Sequence, residues 1–137
     1  MAQRSSARSE RWERENKAPR LSEQAPALTS LRLELIETMN GRKLLDSECI
    51  RHIIVARAAA LFEVPCGDAR CEDGGHDISR EVLIGLRAFK QRFDGTDRCS
   101  GYVGDRPCGR LLEYTALAEF DLSRAALSAP EGTNRGR

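Results

Sequence analysis

An α+β fold, in which an antiparallel sheet carries one helix packed across a face, is what the spacing of apolar residues predicts for this chain. Three observations carry that expectation. Leu31, Leu33 and Leu35 alternate with Arg32 and Glu34. Leu112, Tyr114, Ala116, Ala118, Phe120 and Leu122 alternate with Glu113, Thr115, Glu119 and Asp121. A period of two puts one set of side chains on a single face of a strand, so both stretches read as half-buried strands. Between them Ile78, Val82, Leu86 and Phe89 recur at helical spacing and form one apolar stripe.

Taken in order, residues 1–26 are polar, charged and punctuated by Pro19 and Pro26, so they read as a disordered charged arm. Within the arm Glu10 stands four residues before Arg14, and Glu13 four before Lys17, the favourable order for helical ion pairs, around the chain's one tryptophan, Trp12. A short helix forming on contact with a partner fits this pattern. Residues 27–127 are expected to make the folded domain. Asn40-Gly41 is a strong hairpin turn signal after the first strand and before Lys43 to Asp46. Ile50 to Val64 mixes strand and helix features, and its Ile-Ile-Val and Phe-Glu-Val runs favour one long strand. Asp77 is placed to cap a helix from Ile78 to about Lys90, and a shorter strand follows from Gln91 to Arg98. Residues 128–137 are mainly small, polar and basic, and read as a disordered tail.

The strands and helix are punctuated by two cysteine loops. Cys66 and Cys71 lie in V-P-C-G-D-A-R-C, and Cys99 and Cys108 in C-S-G-Y-V-G-D-R-P-C-G. Each loop has a Pro-Cys-Gly element, in which proline stiffens the approach and glycine lets the backbone turn its N–H groups toward sulfur. Two loops with two thiols apiece can deliver the four soft ligands of a tetrahedral zinc ion, so Cys66, Cys71, Cys99 and Cys108 are the expected ligands of a structural zinc. A total of five cysteines argues against a closed disulfide framework. His76, five residues after Cys71, is the alternative ligand, and Cys49 reads as a buried structural thiol.

The elements Pro65-Cys66-Gly67, Cys71, Cys99 and Pro107-Cys108-Gly109 resemble small zinc-ribbon or zinc-knuckle domains in the broad sense, over residues 65–110. The resemblance implies a closed four-cysteine zinc site and a place among adaptors in transcription, translation or protein assemblies. The C-x4-C and C-x8-C loops are longer than the tight pair usual in that class, and a helix separates them.

At 137 residues the chain has room for one domain plus tails, and its formal net charge of +1 leaves no basic footprint of the nucleic-acid-binding kind. The amino terminus has no apolar signal segment, which points to the cytoplasm and away from membranes. Arginine far outnumbers lysine, a composition expected of a GC-rich, bacterial genome. The function these features favour is a non-enzymatic zinc-binding domain that mediates protein–protein interaction, with Trp12 as a second contact. A metal-dependent or thiol-based enzyme using His76 and Asp77 as acid and base is the alternative. A nucleic-acid-binding adaptor stands third. No catalytic residue and no cofactor besides zinc is assigned.

Overall fold

The computed structural model describes residue 10 and residues 12–124. Residues 12–17 are helical (α1) and Leu21–Gln24 form a further helical turn (α2). Two long strands follow, β1 (Leu28–Met39) and β2 (Arg42–Ile53). Their turn is the expected one: Asn40 and Gly41 both take positive φ, 52° and 79°, which matches the twist of the strands they join. Short strands β3 (Glu63–Val64) and β4 (His76–Asp77) pair with each other, and α3 (Ser79–Arg87) leads into β5 (Arg92–Arg98). The ribbon β6 (Tyr102–Val103) and β7 (Arg106–Pro107) precedes the last strand, β8 (Leu111–Phe120).

The main sheet has the order β2-β1-β8-β5, and every neighbouring pair is antiparallel. Leu31, Leu33 and Leu35 of β1 and Leu112, Tyr114, Ala116 and Ala118 of β8 are buried on one face, where they join Ile78, Val82 and Leu86 of the helical stripe. The helix comes close to the sheet at Gly85, where an added Cβ would stand 2.6 Å from the ring of Phe93 on β5. Only hydrogen fits there. Helix α3 starts one residue later than expected. Its N-cap position is Ile78, and Asp77 supports the first turn from just outside it, its Oδ1 accepting from the Ser79 N–H at 3.0 Å and the Ser79 hydroxyl at 2.6 Å. Phe89 leaves the stripe: it has φ 58° beyond the helix and meets Phe120 edge to face at 5.5 Å.

Two expectations fail together, for one reason. The long strand over 50–64 is broken, because β2 ends at Ile53 and the chain turns at once, with the N–H groups of Arg57 and Ala58 donating to the Ile54 carbonyl. Residues 58–60 are then occupied by the segment assigned to the arm. Leu21 N–H donates to Ala58 O at 3.0 Å, Ala60 N–H donates to Pro19 O at 2.8 Å, and the Leu21 side chain is 0% exposed in the core. The fold therefore begins before residue 27. Helix α1 is held by Arg14, whose guanidinium grips the Glu63 carboxylate with two hydrogen bonds of 3.0 Å. The rest of the expected arm, residues 1–9 and 11, and the expected tail, residues 128–137, lie outside the described residues.

Cys49 is also a correction, since it is exposed. It lies on β2, which has a neighbour on one side only, and the core residues do not cover that part of its face. The strand ends at Phe120, so Leu122 is not in β8; it is exposed in the helical segment 122–124. Among the described residues no helix is long and apolar enough to cross a membrane.

Truncating Leu21 to alanine should lower unfolding free energy by about 2–5 kcal/mol, the usual cost of emptying a fully buried leucine site. Urea titration monitored by circular dichroism tests this, and an unchanged midpoint would return the segment to the arm.

Candidate metal centre

Both cysteine loops hang from the same end of the sheet. The first, residues 65–75, is closed at its base by the Val64–His76 pair of the β3–β4 ribbon. The second, residues 99–110, is closed by the Arg98–Leu111 pair and by the Cys99 N–H donating to Arg110 O at 2.8 Å. Glu72 and Tyr102 then exchange two backbone hydrogen bonds, 2.8 and 3.0 Å, which lace one loop to the other.

The lacing brings Cys66, Cys71, Cys99 and Cys108 together, with their four sulfur atoms within 4.8 Å of one another. Two separations across the loops are 3.7 Å from Cys66 to Cys108 and 3.6 Å from Cys71 to Cys99. A disulfide would need about 2.05 Å. A tetrahedral ion with metal–sulfur bonds of about 2.3 Å spaces its sulfurs about 3.8 Å apart, so the arrangement is compatible with a tetrathiolate metal site. All five cysteines are free thiols, with Cys99 and Cys108 buried and Cys66 and Cys71 partly exposed.

Backbone N–H groups turn toward sulfur as the glycine-containing loops suggest. Asp68 N–H donates to Cys66 at 3.4 Å, and Cys99 accepts from Gly75 at 3.3 Å and from Gly101 at 3.4 Å. Two glycines also make room for the cluster. A side chain on Gly74 would collide with the Cys71 sulfur, and one on Gly101 would stand 2.5 Å from that atom. The thiols feel their surroundings unequally. Burial pushes the Cys71 thiol up to about 12 and raises Cys66 further, whereas for Cys99 the Gly101 and Gly75 N–H groups outweigh burial and lower it.

His76 is not brought to the sulfurs. Its side chain is 0% exposed and lies between two carboxylates, with Nε2 3.0 Å from Glu37 Oε2 and Nδ1 3.1 Å from Asp97 Oδ2. Sheet register explains the geometry. Glu37 on β1 and Asp97 on β5 are both opposite Leu112 of β8, so the two carboxylates stand in one row, two strand spacings or about 10 Å apart. An imidazole with a hydrogen bond at each end closes such a gap. Each ring nitrogen thus has a carboxylate oxygen within hydrogen-bond distance. Glu37 has more partners: its Oε1 accepts from the Gly67 N–H at 3.0 Å and from Arg110 Nη1 at 2.9 Å. Burial works against the charge on Arg110, but the hydrogen bond it donates to Glu37 prevails and raises its pKa. Both Glu37 oxygens are therefore hydrogen-bonded and the Arg110 guanidinium stands beside them, which is how a buried carboxylate becomes tolerable.

The remaining candidates stand apart. Asp77 is occupied at the start of α3, and Cys49 and His52 lie exposed on opposite faces of β2, opposite Leu35 and Arg32 respectively. Sequence reasoning missed Glu37, Asp97 and Arg110. The signal was available for two of them, because Glu37 continues the inward phase of Leu31, Leu33 and Leu35, and Asp97 continues that of Phe93 and Gly95. Comparison with known proteins adds no family: no family model matches the chain, and no curated protein or solved structure matches it.

Two outcomes follow. His76→Ala should cost about 3–5 kcal/mol of stability, since it leaves Glu37 and Asp97 facing each other without the ring between them. It should still bind one metal per chain at saturating metal, because the four sulfurs remain; chemical denaturation and elemental analysis read the two quantities. Metal uptake must expel protons from the raised Cys66 and Cys71 thiols, so apparent affinity should fall as pH falls from about 8 to 6, measured against a competing chelator. Affinity independent of pH would contradict the raised thiols.

Proposed function

We propose that this chain is a non-enzymatic zinc-binding domain whose metal is structural and whose exposed surface serves protein–protein interaction. The observation that carries the reading is the convergence of four sulfurs, drawn from two laced loops, to within 4.8 Å of one another. Four thiolates fill the coordination shell of zinc and leave no position for water or substrate, as in structural sites. The ion would be held by Cys66, Cys71, Cys99 and Cys108, and would fix loops that otherwise rest on a few short hydrogen bonds. Against the acid/base alternative stand the engagements of His76, with both nitrogens paired, and Asp77, occupied at a helix start.

For the contact surface, Trp12 is the best-supported element. It is 64% exposed and stands at a groove of about 440 Å³ that Arg20, Arg51, Arg57 and Phe62 also line. Aromatic and arginine side chains are the usual anchors of protein interfaces. The three arginines favour an acidic partner segment.

Protein purified without chelator should carry one zinc per chain. Cys99→Ser or Cys108→Ser should weaken binding by more than the ~10–100-fold that outer partners are worth. Cobalt substitution should give the intense bands of a tetrahedral thiolate site, unchanged by added cyanide or azide. Bands that respond to those anions would reveal an open position and bring the enzyme reading forward. Trp12→Ala should leave metal content unchanged and weaken partner binding; unchanged affinity for an isolated partner would remove Trp12 from the interface.

A further inference from the structure

The four sulfurs are chemically unequal, and the inequality points to one of them as a site of modification. Hydrogen bonds to a metal-bound thiolate withdraw charge from sulfur and quiet it as a nucleophile. Among the described residues Cys99 accepts two backbone N–H groups and is buried, and Cys66 accepts one, from Asp68. Cys108 is buried. Cys71 is partly exposed and accepts no N–H group among the described residues; its one hydrogen bond in the free-thiol form is a long one of 4.0 Å, donated to the Glu72 carbonyl and lost once the proton leaves. Solvent access and undiminished charge therefore coincide on Cys71 alone. A resolving partner is at hand in Cys99, whose sulfur is 3.6 Å away, and Gly74, three positions after Cys71, leaves the space beside the Cys71 sulfur free of side-chain bulk.

We propose that Cys71 is the reactive sulfur of the cluster, attacked first by peroxides and other soft electrophiles, and that its oxidation with Cys99 releases the metal. This rests on the tetrathiolate zinc reading above. In the first step the Cys71 thiolate attacks one oxygen of a hydroperoxide. The O–O bond breaks, hydroxide leaves when the oxidant is hydrogen peroxide, and Cys71 becomes a sulfenic acid. The Cys99 thiolate then attacks that sulfur, the S–O bond breaks, a second hydroxide leaves and the S–S bond forms. Two thiolates have lost two electrons and one peroxide has gained them. With two of its four ligands tied into a disulfide, the divalent ion departs, and a dithiol reductant plus zinc restores the starting state.

The test uses the full zinc-loaded chain, with exposed Cys49 as an internal reference for an ordinary thiol. Substoichiometric hydrogen peroxide, or N-ethylmaleimide in a parallel arm, is added while zinc release is followed with a chromogenic chelator, and modified cysteines are located by peptide mass spectrometry. The expected result is zinc release in step with Cys71 modification, at least ~10-fold faster than adduct formation at Cys66. Peroxide should give one Cys71–Cys99 disulfide per zinc released, and modification of Cys49 should release none. Protein that carries no zinc would overturn the metal reading and this proposal with it. Zinc-loaded protein in which Cys66 reacts first, or in which the disulfide joins Cys66 to Cys108, overturns the reactivity of Cys71 and leaves the metal reading standing.

Discussion

Glu37 places a carboxylate on the inner face of β1, two residues beyond Leu35, where the alternation would otherwise continue with another apolar side chain. A buried carboxylate is tolerable only if its charge is matched and its oxygens are hydrogen-bonded. The fold meets that demand from three separate parts of the chain: Gly67 from the first cysteine loop, His76 from β4, and Arg110 from the base of the second loop. Because each partner comes from a different segment, satisfying one carboxylate fixes the mutual position of both loops and the sheet. The sulfurs approach one another as a consequence. Gly67 immediately follows Cys66, and Arg110 stands two residues after Cys108.

The inner face of the sheet is thus divided along its length. At one end Leu31, Leu33, Ala116 and Ala118 pack against Leu21, Val82 and Leu86, and the interaction is non-directional apolar burial. At the other, the row of Glu37, Leu112 and Asp97 supports hydrogen bonds and ion pairs whose geometry is demanding. Apolar packing tolerates small sliding movements; an imidazole held at both nitrogens does not. The charged end therefore sets register where loops, rather than long strands, must be aligned, and a register slip of one residue would turn Glu37 or Asp97 out of reach of His76.

Much of this was legible in the sequence where the determinants are local. The alternation around Leu33 and Ala116, the Asn40-Gly41 turn, the helical stripe and the grouping of the four cysteines all depend on residues within a few positions of one another. What could not be read was pairing over distance. His76 reads as an alternative ligand or an acid/base group because its carboxylate partners lie 39 and 21 residues away in the chain. The same limit explains the broken strand at 50–64. Its β-branched and aromatic residues suit a strand, yet Pro19 and Leu21, nearly forty residues earlier, take the hydrogen bonds of residues 58 and 60. Leu21 itself is one leucine in a charged neighbourhood, and only the hollow made by other elements reveals it as core.

The two systems that align the loops differ in what can undo them. The Glu37 cluster is enclosed, and its His76 ring is shut away from solvent. The sulfur cluster is enclosed on the Cys99 and Cys108 side and reaches solvent at Cys66 and Cys71. With a buried electrostatic anchor next to a partly open cluster of thiols, a covalent change at the sulfurs would leave the Glu37 contacts to the loops in place. Disulfide closure between Cys71 and Cys99 would shorten one contact that the laced Glu72–Tyr102 backbone already holds close. Neither the sheet and its apolar core nor the Glu37 partners stand between the two sulfurs, so closing that bond would fall on the loops alone.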